Sequence, residues 1–526
     1  MKWVLIVGVL ILSVFSCKQS EYDIVIENGL IYDGTGEGPY FADIAIKDGQ
    51  IALIDKDITA QRKQTIDAQR KVVAPGFIDL HAHISPITLY PEAESFIRQG
   101  VTTTLGGPDG SSPLPMREYL DSLEELVTGV NVAYLVGHGS IRADVMGLED
   151  RKPTNDELSL MKSKVVEAMT AGAFGISTGL KYLPGTFATT EEVIEISKEV
   201  SRYGGIYTSH MRDEGLKLIE GVNEIVRIAD EADILVVLTH HKVIGKPMWG
   251  ASRQTLAIVD SARAAGLDVM IDQYPYTASY TSISVLIPSW SLEGGRTKFA
   301  ERCDVPELRD SIKRGIIFNI KYDRGGDDLR SVQIAKFDWK PHLTGKTLFD
   351  WAEEEGMVPN AANGAELVIQ AQLHGSASCI YHVMDDEDIV RIMQHPQTMH
   401  ASDGRLSVIN KGHPHPRAFG TFPRVLGHYV RERQVLTLQQ AIHKMTGMPA
   451  SVLALKDRGL IQVGMHADIT VFDAEVVIDK ATFEDPNQFP EGIEYVIING
   501  AVALSPNGLS GKRFGEVLRG AAYVEE

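Results

Sequence analysis

Between residues 22 and 53, apolar and polar positions alternate in short runs: Ile24, Ile26, Leu30 and Tyr32, then Ile44, Ile46, Ile51 and Leu53. A period of two puts alternate side chains on one face, so these runs predict half-buried strands. Asn28-Gly29, Asp33-Gly34 and Asp48-Gly49 interrupt them with the residues that hairpin turns require. Residues 467–472 and 495–500 repeat the pattern near the other end. The simplest account is one small β-sandwich domain built from both termini, residues 21–74 plus 452–526.

Between these ends the pattern changes. Short apolar runs at 101–105, 132–136, 174–177, 205–209, 234–239, 269–273 and 399–402 read as buried strands. Stretches with helical spacing at 156–171, 190–203, 215–232 and 252–265 fall between them. Repeated β-α units over this length predict an α/β fold, a (β/α)8 barrel covering residues 75–451. Residues 288–359 break the rhythm and are expected to form an insertion or lid-like element.

Composition adds limits. The 526 residues carry a formal net charge of −19, with no basic block, which argues against a nucleic-acid partner. An anionic ligand would need locally placed Arg or Lys. Residues 1–17 read as a lipoprotein-type signal segment: Lys2, a mostly apolar run over 4–15, then Val14-Phe15-Ser16-Cys17. Cys17 is the expected lipidation site, so the chain is expected to be exported and to meet a membrane only through that anchor. Phe15 is bulkier than the small residue usual before such a cysteine. Cys303 and Cys379 are too few for a disulfide framework and lack metal-like spacing, so they read as packing residues.

The chemistry begins at Pro75-Gly76-Phe77-Ile78-Asp79-Leu80-His81-Ala82-His83, an apolar strand ending in His-x-His. Residues two apart in a strand project to one side, so His81 and His83 can converge on a divalent metal such as zinc. Alone, the pair is a modest indication. His210 closes the run 206–210, His240 closes 235–240, and Asp403 follows 399–402. All five sit at the C-terminal ends of predicted strands, where barrel enzymes keep their chemistry.

His-x-His, His, His and Asp in that order on successive strands resembles the amidohydrolase superfamily. Longer motifs narrow this to the D-aminoacylases, the N-acyl-D-amino-acid deacylases. They include Gly137-His138-Gly139-Ser140, Ser177-Thr178-Gly179-Leu180-Lys181-Tyr182, Ser209-His210-Met211-Arg212-Asp213-Glu214 and Thr239-His240-His241-Lys242. Tyr274-Pro275-Tyr276-Thr277-Ala278-Ser279, His413-Pro414-His415-Pro416-Arg417 and Lys444-Met445-Thr446-Gly447 continue the similarity through nearly the whole chain. The resemblance implies a metal-bearing (β/α)8 barrel with a small β-sandwich, acting on an N-acyl-D-amino acid or a dipeptide with a C-terminal D-residue. Asp403 would be the general base and acid for a metal-activated water. Lys242, Tyr276, Ser279 and Arg417 are implied as substrate-binding residues. His138, His241, His413 and His415 are as readily supporting or structural residues as ligands.

One departure matters. The family usually carries a Cys metal ligand in a Gly-Asn-Cys-Gly turn, whereas the matching turn here is Gly107-Pro108-Asp109-Gly110. Lys181 is the expected substitute, as a carboxylated lysine bridging two zinc ions. His81, His83 and Asp403 would then hold one ion, and His210 and His240 the other. The rival reading makes Asp109 a carboxylate ligand, and a single metal remains an alternative. Two other functions fit parts of the pattern: a cyclic-amide or lactone hydrolase of the same superfamily, and a non-catalytic binding lipoprotein. Retention of all four His and Asp403 argues against the second.

Overall fold

A computed structural model describes residues 21–525; the expected signal segment 1–17, with Cys17, lies outside them. The termini combine as the alternation predicts. Strands Tyr22–Ile31, Tyr40–Lys47, Gln50–Asp55, Arg62–Asp67 and Val72–Pro75 share one nine-stranded sheet with Ile469–Phe472, Ile493–Ile498, Ala501–Ser505 and Gly508–Leu509. The join is the antiparallel pairing of Val72–Pro75 with Ile469–Phe472. The sheet folds over until Gln50 bridges to His466, enclosing Ile24, Ile26, Ile44, Val73, Ile469 and Ile497 as a core of its own.

The barrel follows directly. Phe77–Asp79, Val101–Gly106 and Asn131–Tyr134 form one parallel set. Val136–Gly137, Gly175–Gly179, Ile206–His210, Val236–Leu238, Val269–Gln273 and Thr398–His400 form a second. Asn131–Tyr134 and Val136–Gly137 are one strand interrupted at Leu135, so the ring has the eight strands of a (β/α)8 barrel. Its seam is closed by a short parallel pair, Ala82–His83 against Gly404–Arg405, and by the Asp403 amide donating to the His81 carbonyl at 2.8 Å.

The break in rhythm read at 288–359 is the centre of a larger unit. Its antiparallel sheet joins Ser279–Ser282, Ser378–Tyr381 and Val332–Lys336, so it spans 279–381. Helices Pro306–Tyr322 and Ala361–Leu373 pack together behind it, around Ile312, Ile316, Leu367 and Val368. The sequence boundaries fell short because Ser279–Ser282 follows the seventh barrel strand almost at once and reads as its continuation. Cys303 and Cys379 are both buried and unbonded. No helix among the described residues is long and apolar enough to cross a membrane.

Candidate metal centre

Each candidate ligand is fixed by its backbone. Asp79, fully buried at the end of its strand, accepts from the His81 amide at 3.2 Å and the Ser402 amide at 2.9 Å, and also from the Ser402 hydroxyl. One carboxylate thus locks the approach to both His81 and Asp403. The Asp109 turn is held by Ser177, whose hydroxyl accepts from the Gly110 amide at 2.9 Å and donates to the Gly107 carbonyl at 2.6 Å. His240 is held by its amide, which donates to Asp272 at 2.6 Å. Asp109, His240 and Asp403 all have left-handed backbone, with φ of 55°, 38° and 48°. That conformation costs an L-residue about 1–2 kcal/mol, so three ligands are held in place against local preference by the surrounding bonds.

The side chains converge as two groups sharing one member. His81, His83, Asp109 and Asp403 have ligand atoms within 4.8 Å of one another, as do Asp109, His210 and His240. Asp109 Oδ1 lies 3.5 Å from His81 Nε2 and 3.4 Å from His240 Nε2, and its Oδ2 is 3.5 Å from His83 Nε2. Asp403 Oδ1 is 3.1 Å from His83 Nε2 and 3.5 Å from His81 Nε2. His210 Nδ1 and His240 Nε2 are 2.8 Å apart. Both His81 ring nitrogens and Asp109 Oδ1 are buried with no hydrogen-bond partner. Buried polar atoms without partners are costly, and a ligand set of imidazoles and carboxylates suits zinc, so these residues fit a two-ion site.

The two carboxylates of the site keep their charge despite burial. Burial works against the charge of Asp109, but His81 and His240 outweigh it and hold the carboxyl far below its ordinary range. For Asp403, burial is likewise outweighed by Arg417, His240 and His81. Burial lowers His210 to about 3. Burial and Lys242 push His240 down as well, yet Asp109, Glu214 and Asp403 prevail and raise it to about 10, so a metal ion bound there would have to displace a proton from the ring. Both carboxylates are therefore ionised and available as ligands.

Lys181 lies apart from both groups. Its ammonium is 4.0 Å from Asp213 and lines a separate cleft with Arg212 and Lys217. The Asp109 turn packs directly on Gly179, where a Cβ would come within 2.3 Å of the Asp109 carbonyl oxygen. The chain turns away there, and Tyr182 rather than Lys181 faces the site, its ring centroid 4.5 Å from that of His210. Asp109, the rival reading of the sequence, is the residue that both groups have in common.

The four expected substrate residues also separate. Arg417 lines a cavity of about 510 Å³ together with His83, Asp109 and Asp403, and its Nη1 is 2.7 Å from Asp403 Oδ2. Lys242 is buried behind His240, donating to Glu214 at 2.5 Å. Tyr276 turns its hydroxyl to Asp479 at 3.4 Å, and Ser279 is buried off the cavity wall. The insertion supplies its wall through Tyr280, Thr281, Ser282 and Ser378, outside the range 288–359. His138 belongs to a buried network with Glu192 and Arg142, and His241 pairs with Thr255. His413 lies 2.7 Å from the Phe483 carbonyl, and His415 lines the cavity at 2.9 Å from the Ala278 carbonyl.

Sequence reasoning missed Glu214 and Tyr274. Glu214 stands behind His210 and His240 and also binds Arg324 at 3.0 Å. Tyr274 lies under the Arg417 guanidinium, 4.6 Å from ring centre to Cζ. Both occur within motifs quoted for the resemblance, and that was the only cue available.

Comparison with known proteins follows the geometry. The model of the Amidohydrolase family matches residues 349–504. The chain is 36% identical to a D-aminoacylase of Alcaligenes xylosoxydans xylosoxydans over 521 residues, covering 94% of this chain and 97% of that one. It superposes with a TM-score of 0.81 on an N-acyl-D-glutamate deacylase from Bordetella bronchiseptica, solved with zinc and a phosphonate mimic of the tetrahedral intermediate. That pair is 33% identical, covering 95% of this chain and 99% of the other. A D-aminoacylase structure addressing one-metal activation and second-metal attenuation in a binuclear centre gives a TM-score of 0.80 at 34% identity, covering 95% of this chain and all of the other.

Proposed function

The chain belongs to the D-aminoacylase family of amidohydrolases, and on that premise we propose that it hydrolyses the amide of N-acyl-D-amino acids, or of dipeptides ending in a D-residue, at a two-zinc centre whose shared ligand is Asp109. The observation that carries this is the position of Asp403, with Oδ1 turned to His83 and Oδ2 to Arg417 at the cavity. His81, His83, Asp109 and Asp403 would hold one zinc, and Asp109, His210 and His240 the other. Zinc held there supplies Lewis acidity, which polarises the scissile carbonyl and makes water a stronger acid.

The protein groups do the rest. Asp403 takes a proton from the attacking water as the new C–O bond forms, then gives it to the amine nitrogen as the C–N bond breaks. Arg417 lies over Tyr274 and keeps Asp403 ionised, and its remaining donors can take the substrate's α-carboxylate in a bidentate fork. Ala143, Leu148 and Leu183 offer an apolar wall for the acyl group. The test is a panel of N-acetyl-D- and N-acetyl-L-amino acids assayed on zinc-loaded protein. Release of the free D-amino acid supports the reading. Hydrolysis confined to cyclic amides would replace it.

Export and lipid anchoring belong to the same proposal, resting on the apolar run 4–15 and Cys17. Metabolic labelling with palmitate should mark the wild type and not Cys17→Ser. Equal labelling of both would rule out that anchor.

A further inference from the structure

Arg405 stands apart from the other cations of the active-site cavity. It lies on the two-residue strand that seals the barrel, in register with His83, so the two side chains leave the seam together and both line the cavity. Arg405 is exposed, and among the described residues its guanidinium has no hydrogen-bond or ion-pair partner. Arg417, by contrast, is 3% exposed and already engaged with Asp403 at 2.7 Å. Among the described residues, the only carboxylates lining the cavity are Asp109 and Asp403, both within the candidate metal-ligand groups. In a chain of net charge −19, this leaves one cavity with two guanidiniums and no acid free to neutralise the outer one.

An N-acyl amino acid carries one carboxylate that every substrate shares, and Arg417 at the reacting end accounts for it. A second cation at the mouth, on the His83 side, is matched by a second anion. We propose that Arg405 selects substrates whose D-residue has an acidic side chain, reading that side-chain carboxylate at the cavity mouth. The inference rests on the deacylase reading above and narrows its substrate class. Because Arg405 is open to solvent, its pairing is screened and unassisted by burial. The expected discrimination is therefore modest, about two- to fivefold between an acid and its amide, the range of an exposed ion pair.

The experiment compares kcat/KM for N-acetyl-D-glutamate and N-acetyl-D-glutamine on zinc-loaded full-length protein, in wild type, Arg405→Met and Arg405→Lys. Wild type should favour glutamate by about two- to fivefold, Arg405→Met should bring the ratio close to one, and Arg405→Lys should fall between them. Raising the salt concentration should lower the wild-type ratio and leave that of Arg405→Met in place. A wild-type ratio near or below one overturns the inference while leaving the deacylase reading intact. So does an Arg405→Met variant that loses both substrates equally, since Arg405 would then read the shared α-carboxylate. No turnover of any N-acyl-D-amino acid would remove the deacylase reading, and this inference with it.

Discussion

The carboxylate of Glu214 spans the back of both second-group imidazoles, with Oε1 3.1 Å from His240 Nδ1 and Oε2 3.4 Å from His210 Nε2. The opposite nitrogens of the two rings, His240 Nε2 and His210 Nδ1, face Asp109. A carboxylate behind a ligating imidazole fixes its tautomer and its direction. Glu214→Gln is expected to weaken zinc binding by about 10- to 100-fold, measured by competition with a chromogenic chelator. It also leaves Lys242 and Arg324 short of a counter-charge, so circular dichroism must first establish that the variant is folded. A folded variant with wild-type zinc affinity would refute the role.

Asp109 is the only residue common to both ligand groups. Asp109→Ala should hold about one zinc per chain instead of about two, and Asp109→Cys should restore the second, since thiolate is also a zinc ligand. Plasma emission analysis after dialysis gives the count. Lys181→Ala should retain the wild-type count, because Lys181 lies in the cleft beside Asp213. Loss of metal in Lys181→Ala would return the bridge to that lysine.

Asp403 is both a proposed ligand and the proposed proton carrier. Asp403→Asn should lower kcat by about 10²- to 10⁴-fold, the range of a positioned general base. Zinc should still be retained at His210, His240 and Asp109. Activity surviving within a few-fold of wild type would sink the mechanism.

Lys444 gives a pH prediction away from the metal. Its ammonium donates to the carbonyls of His395 at 2.6 Å and Thr398 at 2.7 Å, and burial lowers it from 10.5 to about 8. Between those values the unfolded chain holds a proton that the folded chain has released. Stability therefore rises with pH through this window, by about 1 kcal/mol per pH unit around pH 9 from this group. Urea unfolding at several pH values should show that rise in wild type and not in Lys444→Met. Parallel curves for the two would rule the assignment out.

The barrel and four of the candidate ligands were legible in the sequence for one physical reason, and His83 followed as the strand neighbour of His81. His81, His210, His240 and Asp403 each end an apolar run, and the ends of such runs in a (β/α)8 ring all open on one mouth. Lys181 follows an equally good run, but its strand stops at Gly179, where the Asp109 turn presses on the backbone. That contact comes from a loop about 70 residues earlier, on the order of a whole β-α pair away, and no local pattern reports it. Glu214 was hidden differently: it lies four residues past the strand end at His210, in a segment with polar character that reads as loop. Its burial exists only because Lys242 and Arg324 arrive from elsewhere in the chain.

The short pairing of Ala82–His83 with Gly404–Arg405 makes the barrel's last stitch and the first metal position a single object. His83 and Asp403 are separated by 320 residues of chain and meet only there. An ion gripping both works as a clasp on the ring, so stripping it should loosen the seam before any other part of the barrel. Because such an ion binds the folded chain and not the unfolded one, it would add about 2.7 kcal/mol when free zinc exceeds its Kd about a hundredfold. Hydrogen exchange at the Asp403 and Leu406 amides, which donate across the seam to His81 and His83, would register the clasp opening as zinc is withdrawn.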